Sequence, residues 1–378
     1  MKLAEFLSGV LLVIGVAAVL YPPPAAAQNS DNFTVYANSL EGPRGLRFGP
    51  DGYLYVAEAG LGGKRSTAGK CQQVPTPPGP YTGGLTARIS KIDHKGARTT
   101  VAAGFPSTIS AGGVIGVADV AFLDGKLYAL VGGGGCSHGN PDNPSGIAVV
   151  DRNTGKWTMI ADVGAWLKLH PAAYESADDF EPDGTLYSMI AVDDRLFAVE
   201  PNHGQVIAVT PDGDIRQVID ISASEGHIVP TSIAWRKGSF YVGNLNLFPI
   251  DPQWARILTI SKEHASDEDA APGFQQDYGR HHIVDSKAGF TTVVAVDFGP
   301  HDGLLYVLEL SDAPGNPTPG AGKVVRVLRN GQIEEVINGL AVPTAMTFGP
   351  DGHLYICNLG AAPGAVGQIL RFDVTAGL

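Results

Sequence analysis

Apolar and polar residues alternate with period two along many short stretches of this chain, and one such stretch recurs. Residues 42–58, GPRGLRFGPDGYLYVAE, return almost intact as VPTAMTFGPDGHLYICN at 342–358. Weaker copies stand at 117–131, 188–200, 230–244 and 293–309. Each copy reads as a half-buried strand, a tight turn and a second strand. The Asp-Gly turns supply the positive φ that a hairpin needs. After each copy comes a loop and then two more strands, such as QVIAVT (205–210) and IRQVIDI (215–221) around Pro211-Asp212-Gly213. Six repeats of a four-stranded antiparallel meander predict an all-β chain, a six-bladed β-propeller.

The last repeat is one strand short, because little chain follows GQILRFDV (367–374). The segment FTVYAN (33–38) matches the missing strand, and its insertion into the last blade closes the ring and removes exposed sheet edges. Two separate β-sandwiches explain neither the six copies nor the complementary ends.

Composition adds the compartment and excludes some partners. Lys2 precedes the apolar run GVLLVIGVAAVL (9–20), then three prolines at 22–24 and three alanines at 25–27. That order predicts a signal peptide, residues 1–27, cleaved after Ala27. The run is shorter than the roughly 20 residues that span a bilayer. The expected mature chain is a single domain, 28–378, secreted or periplasmic, with no stable membrane span. A net charge of -12 disfavours nucleic acid as a partner. With 49 Gly, 27 Pro and only 17% charged residues, the chain suits turns and strands and not long helices. Of its three cysteines, Cys71 and Cys136 lie in Gly/Pro-rich loops and form a candidate disulfide in an oxidising compartment.

Topology then picks the surface for chemistry. The long second-to-third loops, near 59–86, 132–145, 245–255, 310–322 and 359–367, emerge on one face. Long loops on a rigid scaffold usually carry function. The second strands end on that face in Glu58, Val131, Glu200, Asn244, Glu309 and Asn358. Glu58, Glu200, Asn244, Glu309 and Asn358 together offer the oxygen donors that a hard divalent cation such as Ca²⁺ takes. The alternative is that each bonds nearby loop backbone, with Arg44 offsetting part of the charge. His138, His203 and His227 lie on the same face, as do Asp178, Asp179 and Glu181. His203, His227 and Asp179 are the catalytic candidates, since an imidazole beside a carboxylate can act as general base or metal ligand. The expected ligand-binding face comprises Arg44, Glu58, Glu200, His203, His227, Asn244, Glu309 and Asn358. The sequence contains no HExxH, GxSxG, P-loop or CxxC.

These segments resemble NHL-type and TolB-like propellers. The set GPRGLRFGPDGYLYVAEAGLGG (42–63), CSHGNP (136–141), DDFEPDGTLYSM (178–189), FAVEPNHGQV (197–206), EGHIVPTSIA (225–234), GNLNLFPI (243–250) and GLAVPTAMTFGPDG (339–352) is similar to the ScyD/ScyE family of exported propellers. The resemblance covers the mature chain and implies fold and export more than a reaction. Two function classes follow. One is a module that binds a small molecule or a protein on its loop face. The other is an enzyme, a metal-assisted hydrolase of lactonase type or a catalyst acting on an exported metabolite precursor.

Overall fold

The computed structural model describes residues 33–76, 78–262 and 281–374. The expected signal peptide and the acidic stretch 267–269 lie outside the described residues. The chain forms a six-bladed β-propeller. Blade 1 runs through Pro43–Phe48, Leu54–Glu58, Thr82–Ile92 and Arg98–Ser110, with an extra short strand, Gly113–Ile115, that the repeat did not predict. Blade 2 comprises Val117–Leu123, Lys126–Val131, Gly146–Val150 and Trp157–Asp162. Blade 3 comprises Ser188–Val192, Arg195–Glu200, Gln205–Val209 and Ile215–Asp220. Blade 4 comprises Pro230–Arg236, Ser239–Asn244, Ala255–Lys262 and His281–Phe290. Blade 5 comprises Val293–Phe298, Leu305–Glu309, Gly322–Val327 and Ile333–Leu340. Blade 6 comprises Ala345–Phe348, Leu354–Asn358 and Gly367–Phe372, and is completed by Phe33–Leu40. In that closing pair Phe33 stands opposite Phe372 and Leu40 opposite Gly367. The Phe33 and Phe372 rings lie 5.4 Å apart.

The repeated motif has a mechanical reason. In the GPDG-type turns, Asp51, Asp302 and Asp351 each accept a hydrogen bond at 2.9 Å from the tyrosine four residues on, Tyr55, Tyr306 and Tyr355. Each of those rings then meets the inner-strand aromatic of the next blade edge-on, with centroids 5.0 Å apart in Tyr55–Phe122, Tyr306–Phe348 and Tyr355–Phe48. Tyr241–Phe298 repeats the contact between blades 4 and 5. Edge-to-face pairs contribute roughly 0.5–1.5 kcal/mol beyond their area, so the turn sequence also fixes how blades pack.

The inner strands surround a channel. Asp119 is buried there, and its oxygens accept the Val120 and Met189 N–H groups, which links blade 2 to blade 3. Burial pushes its carboxyl up to about 6, against the opposing effect of Arg47. Asp297 likewise receives Phe298 and Phe348 N–H groups, joining blade 5 to blade 6, and burial raises its carboxyl against the same arginine.

Candidate functional site

The strand-end acids and amides sit at the expected positions, but they are held within their own blades. Glu58 accepts the Glu41 N–H at 2.7 Å and is bonded by the Ser90 hydroxyl. Glu200 accepts Thr185 N–H at 2.8 Å, and Asn358 accepts Ala341 N–H at 2.8 Å. Asn244 donates to the Ile228 carbonyl and accepts Arg256 N–H. Glu309 takes the Thr291 N–H, lies 3.6 Å from Lys323, and is raised by burial against the attraction of that lysine. Each of the five has a backbone partner in the segment entering the same blade; Arg256, in the third strand, and Asn202 and His203, after the second, add further N–H donors to Asn244 and Glu200. These five residues are therefore latches between a blade and its incoming link. Most of their oxygens are engaged by protein donors, while Oε2 of Glu309 is buried with no hydrogen-bond partner, 3.6 Å from Lys323. Among the described residues no group of three or more His, Cys, Asp or Glu could hold a metal ion. Arg44 donates to the Val114 carbonyl at 2.7 Å and lines the channel.

What the loop face does assemble is a series of imidazole–carboxylate pairs around one segment. The link from blade 2 to blade 3 begins with the helix Val163–Leu169, capped by the Asp162 side chain on Ala165 N–H, and continues to Tyr187. Three of its acids reach beyond it, Asp179 to the segment entering blade 4 and Glu181 and Asp183 to the blade 2 loop. Asp179 meets His227 at 2.8 Å, and Glu181 meets His138 at 3.0 Å. Asp183 accepts Ser137 N–H, Ser137 Oγ and Lys168 Nζ at 2.6–2.7 Å. Burial raises the Asp183 carboxyl, but Lys168 and Ser137 outweigh it and the net shift is downward. Gly135 makes that approach possible: a Cβ there would stand 2.2 Å from the Asp183 side chain.

His138 is fully buried, with Nδ1 2.6 Å from the Gly134 carbonyl and Nε2 on Glu181. Both ring nitrogens face acceptors, an arrangement that favours the protonated ring. Burial lowers its pKa, yet the Glu181 hydrogen bond and charge more than reverse this, and it is raised. Tyr81 closes the group, its hydroxyl 3.3 Å from the other Glu181 oxygen. Burial drives that phenol well above its ordinary value.

His203 forms the pair that faces a cavity. Its Nδ1 lies 2.9 Å from Glu200 and its backbone N–H 2.6 Å from the same oxygen. Burial works against the charged forms of both groups, but their mutual attraction dominates: His203 is raised and Glu200 is lowered. The cavity beside His203 has a volume of about 410 Å³. Its wall includes Cys71, Cys136, Leu167, Lys168, Phe180 and Asp183. Cys71 and Cys136 are joined by a disulfide with Cα atoms 6.3 Å apart, which ties the loops of blades 1 and 2 at its edge. Cys136 is thereby unavailable as a nucleophile beside His138.

Sequence alone points to His203, His227, Asp179 and the Cys71–Cys136 pair, and the structure places them around this linker. It does not single out Asp183, Lys168 or Tyr81. The acid spacing Asp179, Glu181, Asp183 was the available signal, since alternate residues of an extended segment can serve different neighbours along its length.

No known protein family matches the sequence, and no curated protein matches it. Solved structures do match in shape. A protein of Thermus thermophilus described as a glucose dehydrogenase-type oxidoreductase shares 15% identity at a TM-score of 0.55, covering 90% of this chain and 99% of that one. The PQQ-bound aldose sugar dehydrogenase of Streptomyces coelicolor shares 13% at 0.52, covering 90% and 98%. A gluconolactonase of Xanthomonas campestris shares 12% at 0.51, covering 92% of each. At these identities the likeness establishes the propeller fold alone. No helix among the described residues is long and apolar enough to cross a membrane.

Proposed function

We propose that this is an exported propeller whose loop face binds a small organic molecule in the cavity beside His203. The observation that carries the reading is convergence: one cavity collects the blade 1 and blade 2 loops, the Val163–Leu169 helix, the following link and the blade 3 loop. Its volume of about 410 Å³ falls in the usual range for small-molecule sites. Apolar Leu167 and Phe180 sit beside Lys168, Asp183 and His203, which is the mixture of apolar wall and few polar groups that such sites use. Membership of the ScyD/ScyE family, export and cleavage after Ala27 belong to the same proposal. A screen of sugar lactones, sugar acids and aromatic metabolites by thermal shift tests it. Hits should disappear in Gln72→Trp, which fills the cavity from its exposed rim. Hits that survive in that variant place binding elsewhere.

A second reading, hydrolysis of a lactone or ester, has its own support in the Glu200–His203 pair. A carboxylate on Nδ1 orients an imidazole as general base for a water or hydroxyl. In this reading His203 takes the proton of the attacking water, and Glu200 stabilises the imidazolium that results. Turnover of a lactone by the wild type and its loss in His203→Gln would support it. Turnover unchanged in that variant would remove it.

A further inference from the structure

The channel opens on the opposite face into a cavity of about 720 Å³, larger than the one beside His203. One structural position supplies its aromatic wall. The inner-strand residue paired with the start of the second strand is Phe48, Phe122, Trp235 and Phe298 in blades 1, 2, 4 and 5, all lining the cavity, and Phe348 in blade 6, where Met346 lines it instead. In blade 3 the same position is Ala191, paired with Leu196. The missing ring leaves a gap, and the cavity extends over residues 190–193 at that blade.

Arg47 supplies the open polar group. It lines the cavity, and its guanidinium has no hydrogen-bond or ion-pair partner among the described residues. Of the carboxylates whose charge it balances, Asp119 is buried and Asp297 lines the cavity wall, as does Asp193; Asp119 and Asp297 accept backbone N–H groups instead. Arg236, the other arginine at this mouth, is committed to the Gly303 carbonyl and to the Phe298 ring, 4.6 Å from its centroid. The result is a planar fork of donors at the base of an aromatic-walled cup. Guanidinium donors match a carboxylate bidentately, and aromatic walls favour a flat apolar body.

We infer that this turn-side mouth is a second binding site, for a small organic anion with a flat apolar body of the aryl carboxylate class, held by Arg47 in the space left by Ala191. It stands independently of the loop-face reading.

Calorimetric titration with 2-naphthoate tests it. The wild type should bind saturably, and 2-naphthylmethanol, which lacks the anion, about tenfold or more weaker. Arg47→Met should weaken 2-naphthoate by a similar factor. Arg47 also balances Asp119 and Asp297, so that variant can lose stability. Ala191→Phe is the second test, since it installs the ring found in the other five blades and leaves the charges untouched. It should melt like the wild type and lose 2-naphthoate. Gln72→Trp on the loop face should bind as the wild type does. Absence of saturable binding, equal affinity for the alcohol, undiminished binding in a folded Ala191→Phe, or loss in Gln72→Trp would each overturn the site.

Discussion

His203 returns to the carboxylate three residues before it: one Glu200 oxygen lies 2.6 Å from the His203 backbone nitrogen and 2.9 Å from Nδ1. The other Glu200 oxygen receives Thr185 N–H from the incoming link. A single buried carboxylate thus latches the blade and aims the imidazole that lines the cavity.

This pairing makes stability depend on pH in two directions. Glu200 is lowered in the folded state, so its contribution is present above the ordinary value of 4.5 and is lost as pH falls through the lowered one. His203 is raised, so its contribution is full below 6.5 and is lost as pH rises through the raised value. Denaturant titrations of the wild type and His203→Gln should therefore diverge below pH 6.5 and converge at alkaline pH. Glu200→Ala should cost roughly 3–5 kcal/mol at neutral pH, as expected when one partner of a buried pair is removed.

Ring closure depends on the strand Phe33–Leu40. Leu40 is fully buried and Ala37 nearly so. Deleting residues 33–40 should lower stability by at least about 3 kcal/mol through lost burial alone. It should also promote aggregation through the freed edge of Gly367–Phe372. Melting and light scattering on the truncated chain check both, and an unchanged melt contradicts the closure.

The Cys71–Cys136 bridge spans a sequence separation of 65 residues. Replacing both with serine should cost roughly 2–5 kcal/mol. Mass spectrometry of non-reduced peptides should show the linked pair, while Cys357, buried in blade 6, should resist alkylation until the protein unfolds.

Gly45 leaves room for a neighbour. A Cβ on it would stand 2.1 Å from an Asp119 oxygen. Gly45→Ala should displace the carboxylate that joins blades 2 and 3. We expect a loss of roughly 1–3 kcal/mol from overpacking, read as a lower urea midpoint.

The repeat and its closing strand were legible because a propeller writes one local rule six times, and Tyr55, Tyr306 and Tyr355 fall at the same place in each copy. The strand-end positions of Glu58, Glu200 and Asn358 were legible too. Backbone bonding was one of the two uses the sequence allowed them; the particular partners were not legible, because the N–H groups of Glu41, Thr185 and Ala341 carry no residue-type signal. The His138–Glu181 and His227–Asp179 pairs were hidden for another reason. Their partners are 43 and 48 residues apart, and only the course of the blade 2 to blade 3 link brings them together. The fifth strand of blade 1, Gly113–Ile115, follows from an extended Arg98–Ser110 strand whose length the repeat did not set.

The most direct test of the central claim is calorimetric titration of the tightest ligand from the loop-face screen into three proteins: wild type, Gln72→Trp and Ala191→Phe. Binding beside His203 predicts saturable heat in the wild type and in Ala191→Phe, and none in Gln72→Trp. Equal binding by Gln72→Trp would contradict it.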